Sequence, residues 1–177
     1  MRYELYSEDE MTSIWTIGYA ADYWDGFWAR LAPHGFTHLV DVRINPYSRY
    51  QEDFRGSEFE ARVNSTGLKY VFFGDRLGGK PDRPEVLTDG ELDPEKLVQD
   101  EFFRGGIRML TEAAAVGSRK LCLMCGCGKP HECHRGRILG PAIVEAGFDL
   151  RHLLPDGREL TQADVELLLG RDQLSLF

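Results

Sequence analysis

The feature that most constrains this chain is an alternation. Ser13–Ile17, Thr37–Val42, Leu68–Phe73, Lys120–Cys125 and Asp149–Leu154 are short, apolar and rich in β-formers. They end respectively at Gly18, a polar loop with Pro46, Gly74, Gly126 and the turn Pro155-Asp156-Gly157, which reads as five strands. Helical spacing fills the gaps. Trp24, Phe27, Trp28 and Leu31 recur at i, i+3, i+4 and i+7, and Phe59 and Val63 mark a shorter helix. Pro94 after Asp93 opens a helical region towards Ala115, which Gly105-Gly106 is expected to interrupt. Ile138 to Ala146 and Val165–Leu169 complete the set, the last behind a capping signal at Thr161 and Asp164. Strands alternating with helices imply right-handed crossovers and an α/β fold, a mostly parallel sheet of about five strands flanked by helices. The expected organisation is an N-terminal extension over 1–12, one domain over 13–170 and a C-terminal tail over 171–177.

No run of apolar residues is long enough to span a membrane, and Met1 to Glu10 carries four acids and one Arg, unlike the basic start of a signal peptide. A cytoplasmic protein is expected. The net charge of −8 argues against a general nucleic-acid coat protein, yet the charge is uneven. Residues 84–101 hold seven acids against Lys96, whereas residues 119–137 hold five basic residues against Glu132. Such a basic face on an acidic body suits steering of a phosphate-bearing ligand, and equally a mixed solvated surface.

In open α/β sheets ligands sit outside the carboxyl ends of the strands. The loops expected there carry Gly18 and Tyr19; Asp41, Arg43, Pro46, Tyr47 and Ser48; Arg76, Gly78 and Gly79; and Cys125, Cys127, His131, Cys133, His134 and Arg135. Asp41, at the end of an apolar strand, is either a desolvated general base or a structural acid paired with Arg43. The four cysteines fall within twelve residues, which points away from a disulfide framework. Three readings stay open: zinc held by Cys125, Cys127, Cys133 and His131; a thiol activated by His134 and Arg135; or small core residues. Cys122 and Cys125 lie three apart in a strand and so face opposite ways, which weakens a four-cysteine metal site. Arg135, just inside a helix start, suits a phosphate. Residues 43–76 interleave arginines with aromatics, as platforms for unpaired or flipped nucleotides do, although Phe59, Phe72 and Tyr70 are better read as core.

Taken in order, Thr16-Ile-Gly18-Tyr19, Leu39-Val-Asp41-Val-Arg43 with Pro46 and Ser48, Leu77-Gly-Gly79, and Cys125 followed by Cys133-His134-Arg135 resemble the domain-of-unknown-function family DUF488, from about Ile14 to His152. The resemblance implies a Rossmann-like fold and a site using Asp41, Arg43, Cys125, Cys133, His134 and Arg135. It also implies, for some relatives, a place in base-excision repair of modified pyrimidines. The chain departs from the pattern at Cys127, where an acid is expected.

The tail Gln173-Leu174-Ser175-Leu176-Phe177 resembles the pentapeptide by which bacterial repair and replication proteins dock on the DNA polymerase sliding clamp. Together these readings lead to a clamp-recruited DNA glycosylase. In that scheme Asp41 activates water or stabilises the cationic transition state, and Cys133 or His134 shapes the pocket. Arg43 and Arg135 hold phosphates, and Tyr19 or Tyr47 stacks on the flipped base. The alternatives are a thiol enzyme acting on a small molecule or RNA, and a non-catalytic adaptor of DNA and clamp.

Overall fold

The computed structural model describes residues 12–20 and 22–174, with side chains as far as residue 171. Strands β1 (Ser13–Gly18), β2 (His38–Asp41), β3 (Lys69–Phe72), β6 (Leu121–Cys125), β7 (Asp149–Leu153) and β8 (Glu159–Thr161) form one sheet in the order β3-β2-β6-β1-β7-β8. All neighbours are parallel except β7 and β8. The α/β reading therefore holds, with one strand more than the sequence suggests. The turn at Pro155-Asp156-Gly157 is a hairpin, and Glu159–Thr161 returns along β7.

β6 explains why the centre of the sheet reads as an unbroken apolar run: a strand buried on both faces has no polar side to alternate with. Leu121, Leu123 and Cys125 join one core, with Leu110 and Ile143. Cys122 and Met124 join the other, with Trp15 and Phe27. The two cysteines do face opposite ways.

Helices α1 (Trp24–Leu31), α2 (Gly56–Ser65), α3 (Gly74–Leu77), α4 (Pro94–Gln99), α5 (Glu101–Ala114), α6 (Gly140–Glu145) and α7 (Gln162–Leu174) cover the sheet. The break expected at Gly105-Gly106 lies instead at Asp100, whose carboxylate accepts from Phe103 N and caps α5. α5 runs through both glycines because Gly106 sits against α3. A Cβ there would stand 2.9 Å from Arg76 Cβ. The polar stretch 75–93 is partly ordered by a two-stranded hairpin, β4 (Leu87–Thr88) and β5 (Glu91–Leu92), turned at Asp89-Gly90.

At the end of the chain, Asp164 and Thr161 bond reciprocally as a capping box with Asp in place of Glu. α7 continues past Gly170 to Leu174. Gln173 and Leu174 of the clamp-like pentapeptide thus belong to a helix, while Ser175, Leu176 and Phe177 lie outside the described residues, as do residues 1–11. Among the described residues no helix is long and apolar enough to cross a membrane.

Candidate functional site

A cleft of about 310 Å³ opens at the carboxyl edge of the sheet, lined by Arg43, Ile44, Asn45, Gly79, Lys80, Cys125, Gly126, Cys127, Glu132, Cys133 and His134. Loops that follow β2, α3 and β6 meet there, as the strand-end rule requires.

The loop after β2 is organised by an ion pair. Asp41 is wholly buried and Arg43 nearly so. Arg43 Nε and Nη2 donate to the Asp41 carboxylate at 2.9 and 2.7 Å, and the Arg43 amide adds a third bond at 3.0 Å. Tyr70 donates its hydroxyl to Asp41 Oδ2. Arg43 Nη1 donates to the Phe54 carbonyl. Burial works against the guanidinium charge, but Asp41 outweighs it and raises the Arg43 pKa. Burial and the Asp41 charge push the Tyr70 hydroxyl up, so it stays a donor.

The loop after β6 brings reactive side chains together. Cys125 Sγ and Cys133 Sγ are 3.3 Å apart, and His134 Nδ1 lies 3.9 and 3.6 Å from them. These three groups could hold a metal ion. Cys127 is exposed and lies outside this close group. Cys125 and Cys133 draw the Cys127 pKa well down, whereas Cys125, Cys127 and burial push Cys133 up. Cys127 acts to raise Cys125, and Cys133 and His134 overcome it, leaving Cys125 lowered. His131 is not one of this group among the described residues; its Nε2 lies 3.7 Å from Glu132 instead.

Two glycines allow this meeting of loops. A Cβ on Gly18 would lie 1.6 Å from the Cys127 carbonyl oxygen, so only glycine lets β1 pass beneath the cysteine loop. A Cβ on Gly79 would lie 2.5 Å from His134 Cγ. The imidazole is therefore seated on bare backbone.

Several expected ligand contacts are located elsewhere. Tyr19 is buried and stacked on Phe54 at 4.1 Å, so it belongs to the core and is not a platform for a base. Arg135 is fully enclosed at the start of a π-helical turn, Arg135–Leu139; it donates to the Gly128 carbonyl and does not face a surface anion. Arg76 lies over the Phe102 ring, 4.3 Å from its centroid, away from the cleft lining. Ser48 is buried and accepts from Gln51 N, Pro46 accepts from Gly56 N, and a Cβ on Gly78 would strike the Gly74 carbonyl. Tyr47 remains exposed, with the Arg55 guanidinium over its ring. Lys80 and Asn45, which line the cleft, carry no motif that marks them in the sequence, and Tyr70 reads as core because its ring does pack on Phe59.

The family model described as a domain of unknown function, DUF488, matches residues 24–140. This chain belongs to that family. The matched span includes every cleft residue named above, from Arg43 to His134. No curated protein and no solved structure matches the chain.

Proposed function

We propose that this chain is a DNA repair enzyme that releases a damaged or modified base from a nucleotide extruded into the cleft. The observation that carries this reading is the joint lining of one small cleft by Asn45, Lys80 and the thiol–imidazole group, beside the buried Asp41–Arg43 pair. The cleft volume is at the low end of small-ligand pockets, a size suited to one base. Tyr47 and Tyr50 stand exposed on the adjoining loop, where aromatic faces can stack on bases.

Hydrolysis breaks the bond between C1′ and the base nitrogen, and water supplies the hydroxyl that C1′ gains. The base departs with the bonding electron pair and takes up the proton that the water gives up. Lys80 and the Asn45 amide are donors that can stabilise the charge on that leaving group. Asp41 acts in this scheme by holding Arg43 in place, since its carboxylate is shut away from water. Two thiolates and an imidazole select zinc among the common ions, and bound zinc would hold the loop after β6 in one conformation. A cytoplasmic setting, where thiols stay reduced, suits four cysteines in this state. The C-terminal pentapeptide supplies recruitment by the sliding clamp.

The test is a panel of duplexes that each carry a single modified base. Alkali-labile abasic sites are the expected product from at least one of them. Absence of such sites from the whole panel, with the chain folded, would overturn the reading. The 3.3 Å approach of Cys125 and Cys133 favours a second reading, a thiol enzyme without metal. An activity abolished by Cys125→Ser and untouched by Lys80→Ala would select it.

A further inference from the structure

Arg135 is the least expected side chain in this molecule. It is among the largest fully buried residues, and only Nη2 finds an acceptor, the Gly128 carbonyl at 2.9 Å. Nε and Nη1 are buried without a partner, and no carboxylate pairs with it among the described residues. A buried guanidinium without an opposing charge costs several kcal/mol, so the fold should supply an anion nearby. Glu132, the carboxylate of this loop, is paired with Lys129 at 2.8 Å, which leaves the thiols of Cys127 and Cys133 as the groups nearby able to become anionic. Arg135 Nη1 stands 3.1 Å from where a Gly18 Cβ would be, at the point where the Cys127 backbone crosses β1.

The donor triangle has the dimensions of one face of a tetrahedral site. With zinc–sulfur bonds of about 2.3 Å and zinc–nitrogen bonds of about 2.0–2.1 Å, sulfurs should be about 3.8 Å apart and sulfur–nitrogen pairs about 3.5 Å. The observed separations are 3.3 Å between sulfurs and 3.6 and 3.9 Å to His134 Nδ1. A fourth corner is still needed. Cys127, two residues after Cys125, lines the same cleft with an exposed thiol that turns inwards to reach that corner.

We propose that Cys127 supplies the fourth donor of a three-cysteine, one-histidine zinc site with Cys125, Cys133 and His134, and that Arg135 is its built-in counter-charge. Three thiolates around a dication carry one net negative charge, which one guanidinium neutralises. A two-cysteine site would be neutral and would leave Arg135 uncompensated. The ligand set also departs from the sequence expectation, with His134 in the place of His131. This inference rests on the reading of the loop as zinc-holding and is independent of what the cleft does to DNA.

The test uses the full chain, purified with zinc and reconstituted with cobalt. Elemental analysis should give one zinc per chain. Cys127→Ser should weaken zinc binding by at least about tenfold and remove roughly a third of the thiolate-to-cobalt charge-transfer absorption. His131→Ala should change neither. Arg135→Met should weaken zinc by about 10–100-fold, with Arg135→Lys, which keeps the charge, losing less. Unchanged absorption and affinity in Cys127→Ser, or a native chain that takes up no zinc, would overturn the proposal. Equal losses in the two Arg135 variants would overturn the counter-charge. Zinc bound as described without any base release would sink the repair reading and leave this one standing.

Discussion

The Tyr70 hydroxyl lies 2.7 Å from Asp41 Oδ2, tying β3 to the buried carboxylate at the end of β2. The two residues are not register partners; Asp41 pairs with Phe72 and Tyr70 with Leu39. The ring reaches diagonally beneath the loop to complete the set of donors around Asp41, with Arg43 on the other side.

That arrangement makes Asp41 a stability residue first. Asp41→Ala leaves the Arg43 guanidinium buried without its partner, and the expected cost is about 3–5 kcal/mol. Tyr70→Phe removes one bond to a charged acceptor and should cost about 1.5–3 kcal/mol. Urea unfolding monitored by tryptophan fluorescence measures both. A neutral Asp41→Ala would show that the pair does not hold the loop.

His152 predicts a pH dependence. It is fully buried between Thr16 Oγ1, 2.7 Å from Nδ1, and Gln162 Oε1, 3.0 Å from Nε2. An amide oxygen only accepts, so Nε2 carries the proton and Nδ1 accepts from Thr16, which describes a neutral ring. Burial lowers its pKa from 6.5 to about 4, the Gln162 bond opposing and the Arg135 charge assisting. Below pH 6.5 the unfolded chain takes up a proton that the folded chain refuses, so stability is full above that point and falls as the pH drops towards 4. The loss should be about 3 kcal/mol across this window. Urea midpoints at pH 7, 5.5 and 4.5 test it, with His152→Gln as the variant that should flatten the slope.

Gly79→Ala should displace the His134 ring and leave the sheet intact. Gly18→Ala is more severe, because its Cβ meets a backbone carbonyl that no rotamer change can move. Overpacking of this kind costs about 1–3 kcal/mol or more. Circular dichroism and zinc content together separate the two. Native-like folding with reduced zinc is expected for Gly79→Ala, and lowered thermal stability for Gly18→Ala.

Lys80→Ala should abolish base release without loss of fold, since the side chain is exposed and makes no ion pair among the described residues. Removal of residues 173–177 should leave release from free duplex unchanged and abolish binding to the sliding clamp, as read by surface plasmon resonance. Retained clamp binding would refute the tail assignment.

The sheet was legible because buried parallel strands leave short β-branched runs that end in glycine or a polar turn. Even the opposed faces of Cys122 and Cys125 follow from a two-residue period. β8 was hidden by its length of three residues. The site was half legible. Cys125, Cys133, His134 and Arg43 stand out as reactive types at strand ends, and they do meet in the cleft. Orientation was not readable. Arg135 opens a π-helical turn and is fully enclosed, and the Tyr70 ring packs on Phe59 while its hydroxyl serves the Asp41 carboxylate. Lys80 enters only because the stretch after α3 folds back over the cysteine loop.

The account stands or falls on whether an extruded base enters this cleft. A duplex with one mismatched 4-thiothymine, irradiated in complex with the chain and mapped by mass spectrometry, asks this directly. Crosslinks should fall within residues 43–50, at Lys80, or within residues 125–134. Crosslinks confined to other parts of the surface, or none under conditions where the duplex binds, would contradict it.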